Sequence, residues 1–180
     1  MQNLLFCVGI AIAVLGTAHV LAGDNHQVSS GNLKDYYNYN AFSIIPAYRY
    51  KCQDGAITNF NEAMSGEVED SFYVQIDPRL NATLVYSLDF GTSENATSIS
   101  LGLAAECPSD VVTKIDVYVD SPSTTPIATL YLTNTVSWLN FANFTATVIN
   151  APRGIHDVYF IFTPSDQHYY FYFDWLAFNH

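Results

Sequence analysis

Residues 169–179 read YYFYFDWLAFN, and seven of the eleven are aromatic: Tyr169, Tyr170, Phe171, Tyr172, Phe173, Trp175 and Phe178. A β-strand sends successive side chains to opposite faces. Unbroken alternation predicts Phe171, Phe173 and Trp175 on one face, inside a core. It puts Tyr170, Tyr172 and Asp174 on the other, where the two tyrosines either touch a ligand or pack along a sheet.

The same pattern recurs upstream. Residues 115–120, IDVYVD, alternate strictly, with Ile115, Val117 and Val119 inward. Residues 84–90 (LVYSLDF), 99–103, 127–132, 141–149 and 158–162 are further short runs rich in β-branched and aromatic residues. Gly91, the cluster 121–126 (SPSTTP) and Pro152-Arg153-Gly154 punctuate them. No segment holds a 3.6-residue period over three turns. Short strands at regular spacing with turn residues between them predict an all-β sandwich.

The 180 residues carry a net charge of −11 and six Lys plus Arg. Phosphate recognition needs clustered cations, so nucleic acid is excluded as a partner and an anionic membrane is disfavoured. Neutral ligands and cations remain. Residues 4–15 form an apolar run too short for the ~20 residues that span a bilayer. Val20-Leu21-Ala22 follows as a cleavage-like tripeptide, so 1–22 reads as a signal peptide and the protein as secreted, without membrane insertion. Residues 23–40, GDNHQVSSGNLKDYYNYN, are polar and aperiodic and read as a flexible arm. Its Tyr-Asn pairs offer a route to self-association. Residues 41–180 make the domain.

With Cys7 in the signal, Cys52 and Cys107 are expected to form one disulfide, and no histidines flank them at zinc spacing. Asn81, Asn95 and Asn143 open Asn-x-Thr sequons, candidate N-glycosylation sites. No catalytic constellation is present. His156-Asp157 has no Gly-x-Ser-x-Gly partner and reads as a turn hydrogen bond. Asp116 and Asp120 stand about 13 Å apart along a strand, beyond the ~5–5.5 Å of a retaining glycosidase pair.

The order of elements resembles family 6 carbohydrate-binding modules. The resemblance rests on VYSLDFG (85–91), Ala104-Ala105, IDVYVDSP (115–122), IATL (127–130), the segment from Asn134 to Trp138, GIHDVYFIF (154–162) and the terminal FDWLAF (173–178). It implies a jelly roll of two antiparallel sheets, without catalysis. It also implies neutral polysaccharide ligands of the β-glucan, xylan or agarose type, held in loops where a sugar stacks between two rings. On that resemblance Trp138 is the stacking ring and Tyr73 the opposing one. The family's hydrogen-bonding Asn falls on Tyr172, so Gln167 or His168 would supply the polar anchor, with Tyr170 and Tyr172 as outward contacts. The family's structural calcium would use Asp174; Tyr48 stands where its second acid usually is. The alternative is an extracellular structural glycoprotein on the same fold, assembling through residues 23–40.

Overall fold

The structure, a computed structural model, describes residues 38–54, 56–57, 73–77, 81–93, 95–166 and 168–180. The expected signal peptide, most of the arm and Gln167 lie outside the described residues. The strands are β1 (Tyr39–Asn40), β2 (Ile45–Pro46), β3 (Cys52–Asp54), β4 (Ala56–Ile57), β5 (Val74–Ile76), β6 (Ala82–Asp89), β7 (Ser98–Ala105), β8 (Thr113–Val119), β9 (Ala128–Leu132), β10 (Ala142–Thr147), β11 (Ile155–Pro164) and β12 (Phe171–Asn179). One 3₁₀ turn, Ala47–Arg49, interrupts them. No helix among the described residues is long and apolar enough to cross a membrane.

Among the described residues these strands form two six-stranded sheets. The first runs β1-β6-β11-β8-β9, with β3 also beside β6; the second runs β10-β7-β12-β5-β4, with β2 also beside β12. The end of the expected arm is not free: Tyr39–Asn40 pairs with Leu88 and Asp89, the one parallel pairing described. Ser87 Oγ donates to Asn38 Oδ1 (2.7 Å), adding a side-chain bond to that attachment.

Aromatic side chains meet between the sheets. Phe162 of β11 lies 5.5 Å from Phe171 and 5.8 Å from Phe173 of β12, centroid to centroid. Phe160 packs edge-on against Tyr86 at 5.4 Å. The Tyr86 hydroxyl is fully buried and donates to the Ala47 carbonyl (2.6 Å), so the phenol is satisfied where water cannot reach it. Burial pushes its pKa well up.

The alternation expected for the last strand holds for Phe171 and Phe173, both buried, and fails for Trp175. Phe173 pairs with Leu103 and Trp175 with Gly102, so β12 has one extra residue, Asp174, against β7. A bulge of this kind moves everything beyond it by one position. Leu176 and Phe178 therefore turn inward and are buried. Trp175 turns out, and its indole lies over Gly102; a Cβ there would overlap the ring.

The expected Cys52–Cys107 disulfide is also corrected. Cys107 carries a free thiol, raised in pKa by burial and then by Asp110. Cys52 is therefore not bonded to Cys107. It sits in β3 opposite Val85 in the first sheet, whereas Cys107 follows β7 in the second.

His156 confirms its turn role. Its ring nitrogens face Asp120 Oδ2 and the Arg153 carbonyl, each at 2.9 Å. Desolvation opposes the charged ring, but these two acceptors outweigh it and raise the pKa.

Gly102→Ala should destabilise the fold, because the added methyl meets the indole. Overpacking costs about 1–3 kcal/mol, which is a fall of roughly 2–10 °C in Tm for a domain of this size. Thermal unfolding of Gly102→Ala, alone and with Trp175→Ala, checks this: the second substitution should recover most of the loss.

Candidate functional site

The outward side chains of the second sheet begin the site. Tyr172 stands between Ala104 of β7 and Gln75 of β5. Ala104 is small, which leaves room for rings above it. Three further aromatic side chains fill that room. Tyr73, just before β5, lies 4.7 Å from Tyr172 with the rings tilted 59°. Trp138, between β9 and β10, lies 5.7 Å from Tyr172 at 57°. Phe141, just before β10, lies 5.9 Å from Tyr73. All four are half-buried.

The segment that carries Trp138 is fastened to the end of β7. The buried Thr135 hydroxyl accepts the Ala105 N–H (2.9 Å) and faces the Ala105 carbonyl (3.0 Å). The Thr135 N–H donates to that same carbonyl (2.8 Å). Asn140 Nδ2 donates to the Thr135 carbonyl (2.6 Å), closing the loop across Trp138. Val136 is held at φ +75°. That is a costly region for a β-branched residue, of order 1–3 kcal/mol. Its N–H donates to Asn134 Oδ1 (2.8 Å). Val136 and Leu139 on either side of Trp138 are strongly exposed.

Tyr172 keeps its proton. Burial, and then the neighbouring Tyr73, raise its pKa above the ordinary phenol value. A neutral phenol both donates and accepts, and so suits a sugar hydroxyl. The site is aromatic and uncharged, and the acids considered for catalysis are engaged elsewhere. Asp116 accepts from Thr129 Oγ1 and Lys114 Nζ, each at 2.7 Å, and Asp120 faces His156.

Of the residues the sequence suggested, Trp138, Tyr73 and Tyr172 come together. Tyr170 does not join them: with Cys107, Val111 and Leu132 it lines a small cavity of about 10 Å³. His168 is exposed and turned onto Asp166 (2.6 Å). Phe141 was missed. It stands two residues before the exposed Asn143, on the outward phase of β10, a position that alternation could have marked.

Asp174, the candidate calcium ligand, is half-buried at the bulge, and burial raises its pKa. It has no hydrogen-bond or ion-pair partner among the described residues. Nor do any three His, Cys, Asp or Glu side chains converge among them. Calcium wants six to eight oxygens, and the described residues provide no such carboxylate-rich set.

A family model, "Carbohydrate binding module (family 6)", matches residues 80–180. The chain belongs to the family 6 carbohydrate-binding modules. An endo-1,4-β-xylanase A of Thermoclostridium stercorarium is 29% identical over 129 residues, 69% of this chain and 22% of that protein. The chain thus spans under a quarter of the curated relative's length. A family 6 module from Clostridium cellulolyticum in complex with xylose superposes with a TM-score of 0.63 at 27% identity, covering 78% of this chain and 99% of that one. A β-1,3-glucan-binding family 6 module from Bacillus halodurans has the same fold, with a TM-score of 0.64 at 22% identity over 80% of this chain and all of that one. In this family 6 module a carbohydrate-binding role follows from membership, and the matched stretch contains Trp138, Phe141 and Tyr172 but not Tyr73.

Asp174 gives a pH-linked prediction. A carboxylate whose folded pKa is raised adds stability below its unfolded pKa and loses it as pH rises through the folded value. In calcium-free buffer Asp174→Asn should therefore raise Tm at pH 7 by roughly 1–3 °C, the shift of a sub-kcal change. The difference should vanish near pH 3, as read by thermal scans across pH. A lower Tm at pH 7 in calcium-containing buffer alone would instead mark a metal ligand.

Proposed function

We propose that this module, in an exported protein, binds neutral polysaccharide of the β-glucan, xylan or agarose type without itself catalysing a reaction. The sugar lies with its C–H face on Trp138, and Tyr73 and Tyr172 extend the contact. One observation carries this reading: Tyr172 touches both Trp138 and Tyr73, so three half-buried rings form one continuous aromatic surface outside the second sheet.

The chemistry suits a neutral sugar. A pyranose offers one face of C–H groups and a rim of hydroxyls; rings cover the first, and the Tyr172 hydroxyl can meet the second. No cation is needed, which agrees with a chain of net charge −11. The same charge repels sulfated or uronate polymers. The relatives support the ligand class: one is named a xylanase, one module holds xylose and one binds β-1,3-glucan. Because Tyr172 replaces the family's amide, its polar anchor is a hydroxyl on a longer, flatter side chain. Stacking then carries more of the affinity.

Affinity electrophoresis in gels containing xylan, β-glucan or agarose tests this. Covering roughly 80 Å² of indole face, under half of what a buried aromatic removes from water, gives about 2 kcal/mol, about thirtyfold in Kd. Trp138→Ala should abolish retardation, and Tyr172→Phe should weaken it less. If none of the three polymers retards the protein, and deleting residues 23–40 abolishes a concentration-dependent assembly, the structural-glycoprotein reading replaces this one.

A further inference from the structure

β10 is an edge strand of the second sheet, and its alternation is complete. Asn143, Thr145 and Thr147 are exposed, while Ala142, Phe144 and Ala146 turn toward the interior. Asn143 and Thr145 are the first and third residues of a sequon, so the fold keeps both on the solvent face. Across the ladder Asn143 faces Gly102, and Thr145 faces Ser100. Directly opposed residues hold their Cβ atoms about 5 Å apart. Gly102 has none, and the Trp175 indole occupies the space above it. A group attached to Asn143 therefore emerges beside an indole. Thr145, Ser100 and Asn179 form a polar rail alongside, with Oγ1···Oγ 3.1 Å and Nδ2···Oγ 3.0 Å. Asn143 Oδ1 accepts from its own sequon's Thr145 Oγ1 (3.4 Å); the other sequons are placed differently. Asn95 Oδ1 accepts from Arg153 Nε (3.2 Å), and Asn81 stands in the loop before β6.

We propose that Asn143 carries an N-linked glycan whose first N-acetylglucosamine lies against the Trp175 indole on the outer face of the second sheet. The inference rests on the export in the proposed function, not on polysaccharide binding. The donor is a polyprenyl-diphosphate-linked oligosaccharide. The Asn143 Nδ2–C1 bond forms, the C1–O bond to the diphosphate breaks, and one amide proton leaves with the lipid diphosphate. In the folded protein the sugar's C–H face covers the indole, and its acetamido and hydroxyl groups meet the Ser100–Thr145 rail. The glycan also covers an otherwise open sheet edge, which closes that edge to strand addition by another chain.

The test secretes the full chain, with Asn81→Gln and Asn95→Gln, from a eukaryotic host, so that only Asn143 can be modified. Intact-mass measurement should show occupancy. One portion is trimmed by an endoglycosidase to the single N-acetylglucosamine; the stripped form is the same chain made in a host without N-glycosylation, which keeps Asn143 as the amide that an amidase would convert to Asp. The trimmed form should keep the Tm of the untreated protein. The stripped form should fall by about 2–4 °C, the size of one ring–sugar contact. The Trp175 indole N–H resonance should shift between trimmed and stripped forms, which gives the same answer without altering Trp175. An unoccupied Asn143 would overturn the proposal, as would equal Tm values with an unmoved Trp175 resonance. Polysaccharide retardation of the stripped form, measured alongside, separates failure of this inference from failure of the binding reading.

Discussion

One extra residue in the last strand divides core from surface in this protein. Asp174 sits between Phe173, which pairs with Leu103, and Trp175, which pairs with Gly102. Before it, Phe171 and Phe173 point inward to Phe160 and Phe162. After it, Leu176 and Phe178 take over the inward phase, and Phe178 meets Phe90 edge-on at 4.9 Å. The two outward aromatic residues, Tyr172 and Trp175, are left on the face that carries the candidate site. A straight strand would bury the indole and expose Leu176 and Phe178. The bulge also explains Gly102, the position that must stay without a side chain for the indole to lie flat.

The site inherits its geometry from that face and from the end of β7. Ala104 and Gly102 give rings room above the sheet, and the Thr135 bonds to Ala105 fix the loop that brings Trp138 beside Tyr172. The strained Val136 backbone is sustained by the same bonds and by Asn134. Loop conformation and sheet register converge on Tyr172, which touches both other candidate rings. Its hydroxyl stays neutral over the physiological range. The result is an uncharged aromatic surface on an acidic protein, a combination suited to neutral glycans.

Much of this was legible in the residues themselves. Strict alternation in 115–120 gave the inward Ile115 and Val117, and turn residues marked most strand ends. The motifs at 85–91, 154–162 and 173–178 carry the family resemblance by themselves. What stayed hidden depends on relations between strands. The bulge cannot be read from β12 alone, because its evidence is the register against β7. The cysteines pair on paper because nothing in their spacing says that one lies in β3 of the first sheet and the other beyond β7 of the second. Tyr170 and Tyr172 are two residues apart and looked equivalent. Tyr170 precedes the strand proper and turns toward Cys107 and Leu132, away from Tyr172's neighbours. Phe141 lies on the outward phase that alternation marks, but its contact with Tyr73 joins two separate segments and is written in neither alone.

The chain has two tryptophans, Trp138 and Trp175, so its ¹⁵N-correlated NMR spectrum holds two indole N–H resonances, one for the candidate site and one for the bulge. Titration with soluble xylo-oligosaccharide or β-glucan oligosaccharide is the most direct test of the central claim. The Trp138 resonance should move saturably while that of Trp175 stays in place. Saturable movement of Trp175 alone, or of neither with every oligosaccharide tried, would contradict a sugar stacked on Trp138.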